Sequence, residues 1–163
     1  MGRKLHCVEI QLGQDVFCIG TVHLESLSSA ALRKQQLEII SNHLSTYAHA
    51  ILCGDFNFDS KRNYIAKSLP LENDCLKQYF SGYDDIWTLL HPSQAGYTFD
   101  TAKNANLAKH RPERMRYDRI MLRSGIYKAQ SICLTGDKVI GDGKLKEVMP
   151  SDHFGLLCVV SKS

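Results

Sequence analysis

HAILCGDFNF, residues 49 to 58, decides the fold class: an apolar run of strand length reaches Gly54 and then presents Asp55 and Asn57. Side chains at i and i+2 of extended backbone point the same way, so these two polar groups project together just past the carboxyl end of a buried strand. In open α/β sheets that rim is where ligands sit. Gly54 lets the backbone turn there or lets a bulky group come close. Taken alone, the D-x-N triplet reads equally as an Asx turn that only ends the strand. What the rest of the chain brings to the same rim has to separate the two.

Upstream, residues 5 to 11 (LHCVEIQ) and 15 to 22 (DVFCIGTV) alternate as two strands around a short Gly13-Gln14 turn, a hairpin pattern. After His23 the period changes. Ser28 or Ser29 caps a helix in which Ala30, Leu37, Ile40, Leu44 and Tyr47 recur at helical spacing. A strand over 50 to 53 follows, and strand, helix, strand succession favours a layered α/β fold. Downstream, residues 60 to 68 and 84 to 91 read as short helices, the second ended by Pro92. Residues 115 to 123, 130 to 135 and 154 to 161 read as strands. Between the last two, a Gly-rich charged stretch reads as a long surface loop leading into Ser151-Asp152-His153.

At 163 residues the chain suits one domain, residues 1 to 163, with a sizeable core. A net charge of +3 is too mild to dictate a nucleic-acid partner, yet it does not discourage an anionic substrate. The six cysteines, Cys7, Cys18, Cys53, Cys75, Cys133 and Cys158, have no C-x-x-C spacing. Most lie in apolar runs, which suggests reduced core thiols and an intracellular setting, nuclear or cytoplasmic. The amino terminus alternates like a strand and has no long apolar stretch, so no signal peptide or membrane anchor is expected.

Other polar clusters also follow strands. T-V-H-L-E-S puts His23 and Ser26 after the second strand, although an isolated histidine is more often structural. R-Y-D-R-I sets Asp118 inside an apolar alternation, where an unpaired carboxylate is costly. S-D-H places Asp152 and His153 at the mouth of the last strand, where a carboxylate partner fixes an imidazole's tautomer and makes it a better proton acceptor. Each has a plain structural reading. Their order and matched placement after strands make four coincidences harder to accept.

With T-x-H-L (21 to 24), G-D-F-N (54 to 57), R-Y-D-R-I (116 to 120) and P-S-D-H-F-G (150 to 155), the sequence resembles the endonuclease/exonuclease/phosphatase superfamily, the magnesium-dependent DNase I-like fold. Within it, T-V-H-L-E-S, R-K-Q-Q-L-E, D-D-I-W, G-Y-T-F-D-T with N-x-N-L, and S-D-H-F-G-L-L-C resemble the tyrosyl-DNA phosphodiesterases. The likeness runs from about Val16 to Val160. It implies the carboxy-terminal half of a layered α/β/β/α sandwich. Members carry a first half with an Asn motif and a Q-E motif whose Glu binds magnesium directly, and Met1 here stands after both.

The resemblance also implies roles. Asp55 would orient or deprotonate water, Asn57 would hold that water or a phosphate oxygen, and His153, oriented by Asp118, would stabilise phosphoryl charge. Asp152 would sit at the metal through water, with Asp55 beside it; the metal is magnesium, with manganese as the alternative. His23 and Ser26 match phosphate contacts, and Phe99, Leu107 and Tyr117 match apolar positions along which a single-stranded DNA end lies. One departure is Asp59, where those enzymes carry a basic residue.

The residues themselves agree on charge. Lys109, His110, Arg111, Arg114, Arg116, Arg119 and Arg123 crowd around Tyr117, joining backbone neutralisation to a stacking surface, although strand alternation turns Arg119 and Arg123 away from a shared groove. The implied activity is magnesium-dependent hydrolysis of a phosphodiester at a nucleic-acid end, a 5′-tyrosyl-DNA above all. RNA, abasic-site or phosphoinositide substrates remain open, as does an incomplete nucleic-acid-binding module. Half a sandwich leaves apolar surface, to be covered by the missing first half or by a second copy in a homo-oligomer.

Overall fold

The computed structural model describes residues 2 to 65, 69 to 141 and 148 to 163. The expected hairpin forms from β1 (Leu5–Leu12) and β2 (Asp15–His23), turning at Gly13 with φ +64°. Next come α1 (Ala30–Leu44) and β3 (His49–Asp55). Ser29 takes the N-cap position without a side-chain bond, and the helix closes at Leu44, one turn short of Tyr47.

No helix forms over 60 to 65, and 66 to 68 of that expected helix lie outside the described residues. The local order there comes instead from α2 (Cys75–Tyr79), and from the short β4 (Asp84–Asp85) leading into α3 (Ile86–Leu90). The Asp85 side chain accepts from Thr88 N at the start of α3, so this helix begins two residues later than the sequence suggests. The expected strand over 115 to 123 is divided. β5 (Phe99–Asp100) pairs with β6 (Arg114–Met115), Arg116 and Tyr117 break the alternation, and β7 (Asp118–Arg123) resumes it. β8 (Tyr127–Thr135) and β9 (Gly155–Lys162) form a separate antiparallel ribbon. The loop between them has a bridge at Ile140 and Val148; its residues 142 to 147 lie outside the description.

The main sheet runs β1-β2-β3-β7-β4, with β2 and β3 parallel and the other pairs antiparallel. Alternation divides its side chains between two cores. Cys18, Val22, Leu52 and Met121 pack under Leu37, Ile40 and Leu44 of α1. Phe17, Ile19, Ile51, Ile120 and Leu122 point the other way, against Trp87 of α3 and Ile132, Leu156 and Val160 of the ribbon. The result is helix, sheet, sheet, a mixed α/β sandwich fragment. Apolar surface does stay uncovered. Val8, Ile10 and Leu12 along one face of β1 are 53%, 38% and 43% exposed, and Leu157 and Val159 on β9 are 59% and 52% exposed.

All six cysteines are free thiols, as expected. Cys18 is buried and Cys75 and Cys158 pack against the two cores, whereas Cys7 and Cys133 are exposed, so the expectation of core thiols does not extend to those two. Among the described residues no helix is long and apolar enough to cross a membrane.

Gly54 is where β3 reaches the rim. Its φ is +125°, and a Cβ there would stand 2.0 Å from the Val22 carbonyl oxygen of the neighbouring strand. Both the backbone conformation and the strand-to-strand fit require hydrogen at this position. Gly54→Ala is therefore expected to destabilise the fold by more than about 2 kcal/mol, read as a lowered midpoint in urea unfolding. An unchanged midpoint would contradict the close approach of β2 and β3.

Candidate functional site

The sheet register builds the site. His23 on β2 is the parallel partner of Asp55 on β3, and Asp55 is the antiparallel partner of Asp118 on β7. Partners across strands share a face, so the three side chains stand side by side on one rung. The rung is extended past the strand ends by backbone bonds from Leu24 N to Asp55 O and from Phe56 N to Tyr117 O, both 2.9 Å.

Asn57 turns back under this rung. It adopts the left-handed conformation at φ +56° and donates its backbone N–H to Asp55 Oδ1 at 2.8 Å. Its side-chain amide donates to Leu24 O at 2.9 Å and to Asp55 Oδ2 at 3.3 Å. The Asx turn and the polar rim are thus the same object: the turn orients the Asp55 carboxylate. His23 Nε2 stands 3.4 Å from Asp55 Oδ2.

The last segment completes the cluster. His153, immediately before Phe154 and β9, donates Nδ1–H to Asp118 Oδ2 at 2.8 Å. Ligand atoms of Asp55, Asp118 and His153 lie within 4.8 Å of one another, close enough to hold a metal ion. Two carboxylates directly opposite on adjacent strands repel, a cost that folding alone would avoid. Burial first, and then the Asp118 charge, push Asp55 above its ordinary value, against the opposing pull of the Asn57 N–H and the two histidines. Burial works against a charged His153, yet the Asp118 bond and charge, with Asp55 and Asp152, outweigh it and raise the imidazole.

Two residues that sequence reasoning did not single out hold this arrangement. Thr98, fully buried, accepts through Oγ1 from Tyr117 N at 3.2 Å and Asp118 N at 3.0 Å, while its carbonyl accepts from Phe154 N at 2.7 Å. It links β7 to the His153 segment. Asn104, 2% exposed, donates to Ser151 O at 2.9 Å and Asp152 O at 3.1 Å. Asn106 beside it donates to Met149 O at 3.1 Å and Ser151 O at 3.3 Å. The signals for this anchoring were the G-Y-T-F-D-T motif, which contains Thr98, and the N-x-N-L motif, which contains Asn104 and Asn106.

The other expected site residues surround this cluster at different depths. Asp152 is exposed and takes a bond from Ser151 Oγ at 3.2 Å; it is not among the three groups that could ligate a metal directly, but its charge helps raise the neighbouring His153. Ser26 is half-buried two residues beyond the Leu24 carbonyl that Asn57 grips. Tyr117 is half-buried, its ring stacked 6.0 Å from His153 and tilted 5.8 Å from Phe99. Burial first, then Glu113, push its phenol up, so it stays a neutral hydroxyl. Phe99 and Leu107 are 8% and 2% exposed and form, with Met115, a core beneath Tyr117, so Leu107 supports this surface from below.

The basic segment divides. Lys109, His110, Arg111 and Arg114 are exposed. Arg116 turns inward and donates both terminal nitrogens to Asp85 at 2.8 Å, with Thr88 Oγ1 at 3.1 Å, which corrects its expected place on a substrate surface. Arg119 is buried against Phe58 O and Asn73, and Arg123 binds the carbonyls of Leu44 and Tyr47. Asp59, the departure from the basic residue, accepts from Lys61 N, Arg62 N and Arg116 N at 2.8, 3.1 and 2.7 Å. It pins the loop after Asn57 to the start of β7.

Comparison with known proteins agrees with this fold. The chain is 32% identical to tyrosyl-DNA phosphodiesterase 2 of Mus musculus over 99% of its length, and 30% identical to that of Homo sapiens over 97%. It spans 42% of the length of each. Among solved structures, Danio rerio tyrosyl-DNA phosphodiesterase 2 complexed with single-strand DNA product matches with a TM-score of 0.78 at 25% identity, covering 98% of this chain and 62% of that one. An endonuclease/exonuclease/phosphatase from Beutenbergia cavernae matches with a TM-score of 0.63 at 19% identity, covering 98% and 39%. No protein-family model matches the sequence.

Two outcomes follow from the geometry. Arg116→Ala removes the two close bonds to the half-buried Asp85, leaving it Arg119 at 3.6 Å, and is expected to cost about 1.5–3 kcal/mol in urea unfolding, whereas Arg111→Ala is expected to leave stability unchanged. In metal-free protein, the raised His153 contributes stability in full below the ordinary imidazole value and loses it as pH rises through the raised native one. Asp118→Asn should lower the His153 titration midpoint seen by NMR; a midpoint that does not move would show that Asp118 does not set it.

Proposed function

The chain belongs to the endonuclease/exonuclease/phosphatase superfamily, and on that premise we propose that it is the carboxy-terminal part of one such domain, a magnesium-dependent phosphodiesterase acting on a nucleic-acid end. The reading singles out 5′-tyrosyl-DNA as substrate and an intracellular setting, nuclear or cytoplasmic. The observation that carries it is the Asp55, Asp118 and His153 cluster beside the Phe99 and Tyr117 rings. The likeness to a relative solved with single-strand DNA product supports the choice of nucleic acid.

Each residue has a task that its surroundings suit. Asp55, its direction fixed by the Asn57 N–H, would take the proton of an attacking water. Asn57 fixes that carboxylate's direction. His153, its Nδ1–H committed to Asp118, presents Nε2 to the phosphoryl oxygens, and the raised imidazole favours the cation that stabilises their charge. Tyr117 offers a half-exposed ring for the terminal base. Hard carboxylate oxygens whose repulsion burial has strengthened suit magnesium, so Asp55 and Asp118 would hold it. Once bound, it supplies neutralising charge at the phosphate.

The test is release of tyrosine from a 5′-tyrosyl oligonucleotide by the protein that carries this chain. Release is expected only with magnesium, with chelator abolishing it. Asp55→Ala is expected to slow it about a hundred- to ten-thousand-fold with little change in single-strand affinity. Full turnover in that variant would remove the mechanism. Salt-sensitive binding without turnover would leave a binding module, and turnover of a phosphoinositide where DNA ends give none would move the substrate.

A further inference from the structure

The rung that begins Asp118, Asp55, His23 has a fourth place. Continuing the β1 and β2 register by one residue beyond the Leu5 and Val22 pair sets Lys4 opposite His23. His6 pairs with Thr21 and shares the face of Lys4 and His23. Lys4, His6, Thr21 and His23 are among the residues lining a cleft of about 330 Å³, and no carboxylate is among the described residues that line it. Arg3 also lines the cleft and is paired with Glu25, the nearby acid, at 3.6 Å, while Glu9 bonds Tyr47 on the other face of β1. The cleft therefore presents an ammonium, two imidazoles and a hydroxyl beside Asp55, with Lys4 and His6 exposed.

Its position gives it a direction. The Phe99 and Tyr117 rings gather around His153 on the β7 side of Asp55, whereas this cleft opens on the β1 and β2 side. A phosphodiester centred between Asp55 and His153 has one substituent on each side. With strands roughly 4.8 Å apart, the Lys4 backbone stands about 10 Å from that of Asp55, within reach of a long side chain for a group next to the scissile phosphorus. We propose that the Lys4, His6 and His23 cleft is a second anion subsite, which receives a phosphate carried on the leaving-group side of the substrate. This rests on the nucleic-acid reading above and adds a preference to it: a leaving group that bears its own phosphate is held better than an uncharged one.

The experiment compares two oligodeoxynucleotides that differ only at the 5′ end, one a monophosphate and one a diphosphate, in binding titrations with chelator present so that no bridging cation contributes. The diphosphate is expected to bind about tenfold tighter. In the Lys4→Ala, His6→Ala double variant that preference should vanish while monophosphate affinity is retained; both side chains are exposed, so the fold is not at stake. Equal affinities in the unaltered protein, or a preference that survives in the variant, would overturn the subsite alone. Failure of both oligonucleotides to bind at low salt would overturn the nucleic-acid reading and the subsite with it.

Discussion

The antiparallel pairing of β3 with β7 sets Asp55 directly opposite Asp118, and the rest of the site answers that juxtaposition of like charges. A sheet selected for stability alone would not place two carboxylates on adjacent strands with their side chains on one face. Here each is given a different partner. Asp55 is gripped by Asn57 from below and faced by His23, whereas Asp118 is engaged by His153. The two carboxylates so acquire different partners, which fix their directions independently although they share one rung.

The supporting structure is built to keep that rung in register. Gly54 allows β3 to pass within contact of Val22, and the loops after β2 and β3 continue the ladder through Leu24 and Phe56. Thr98 and Asn104 tie the Ser151 to Phe154 segment to the start of β7, so His153 is held from a distant part of the chain by buried side chains. Directional bonds of this kind fix a side chain's position more closely than packing of loops alone does.

Positive charge is used for two different purposes. Arg33, Arg116 and Arg119 are buried; Arg33 clasps Glu72 with bonds of 2.6 and 2.8 Å and Arg116 clasps Asp85, so their charge is spent on joining elements. Other cations stay exposed, among them Lys4 beside the cleft next to His23, and Lys109, Arg111 and Arg114 in the stretch that leads into β6.

The elements with clear period were legible in the sequence, because burial writes alternation or helical spacing directly into residue order: the hairpin, α1, β3 and the last strand appeared as expected. Asp55, Asn57, Asp118 and His153 stood out as polar groups beside apolar strands, and the fold brings them together. The helix expected over 60 to 68 was not upheld in its described part, and the basic segment from 109 to 123 was misleading as a single surface. Local charge does not say which way a side chain turns once Asp85, Phe58 and the Leu44 carbonyl are within reach. Cross-strand register, the anchoring by Thr98 and the place of Lys4 beside His23 belong to tertiary structure for the same reason. They depend on which residues meet across distances of tens of positions, and a linear pattern carries the cost of burying a group but not the identity of the partner that meets it.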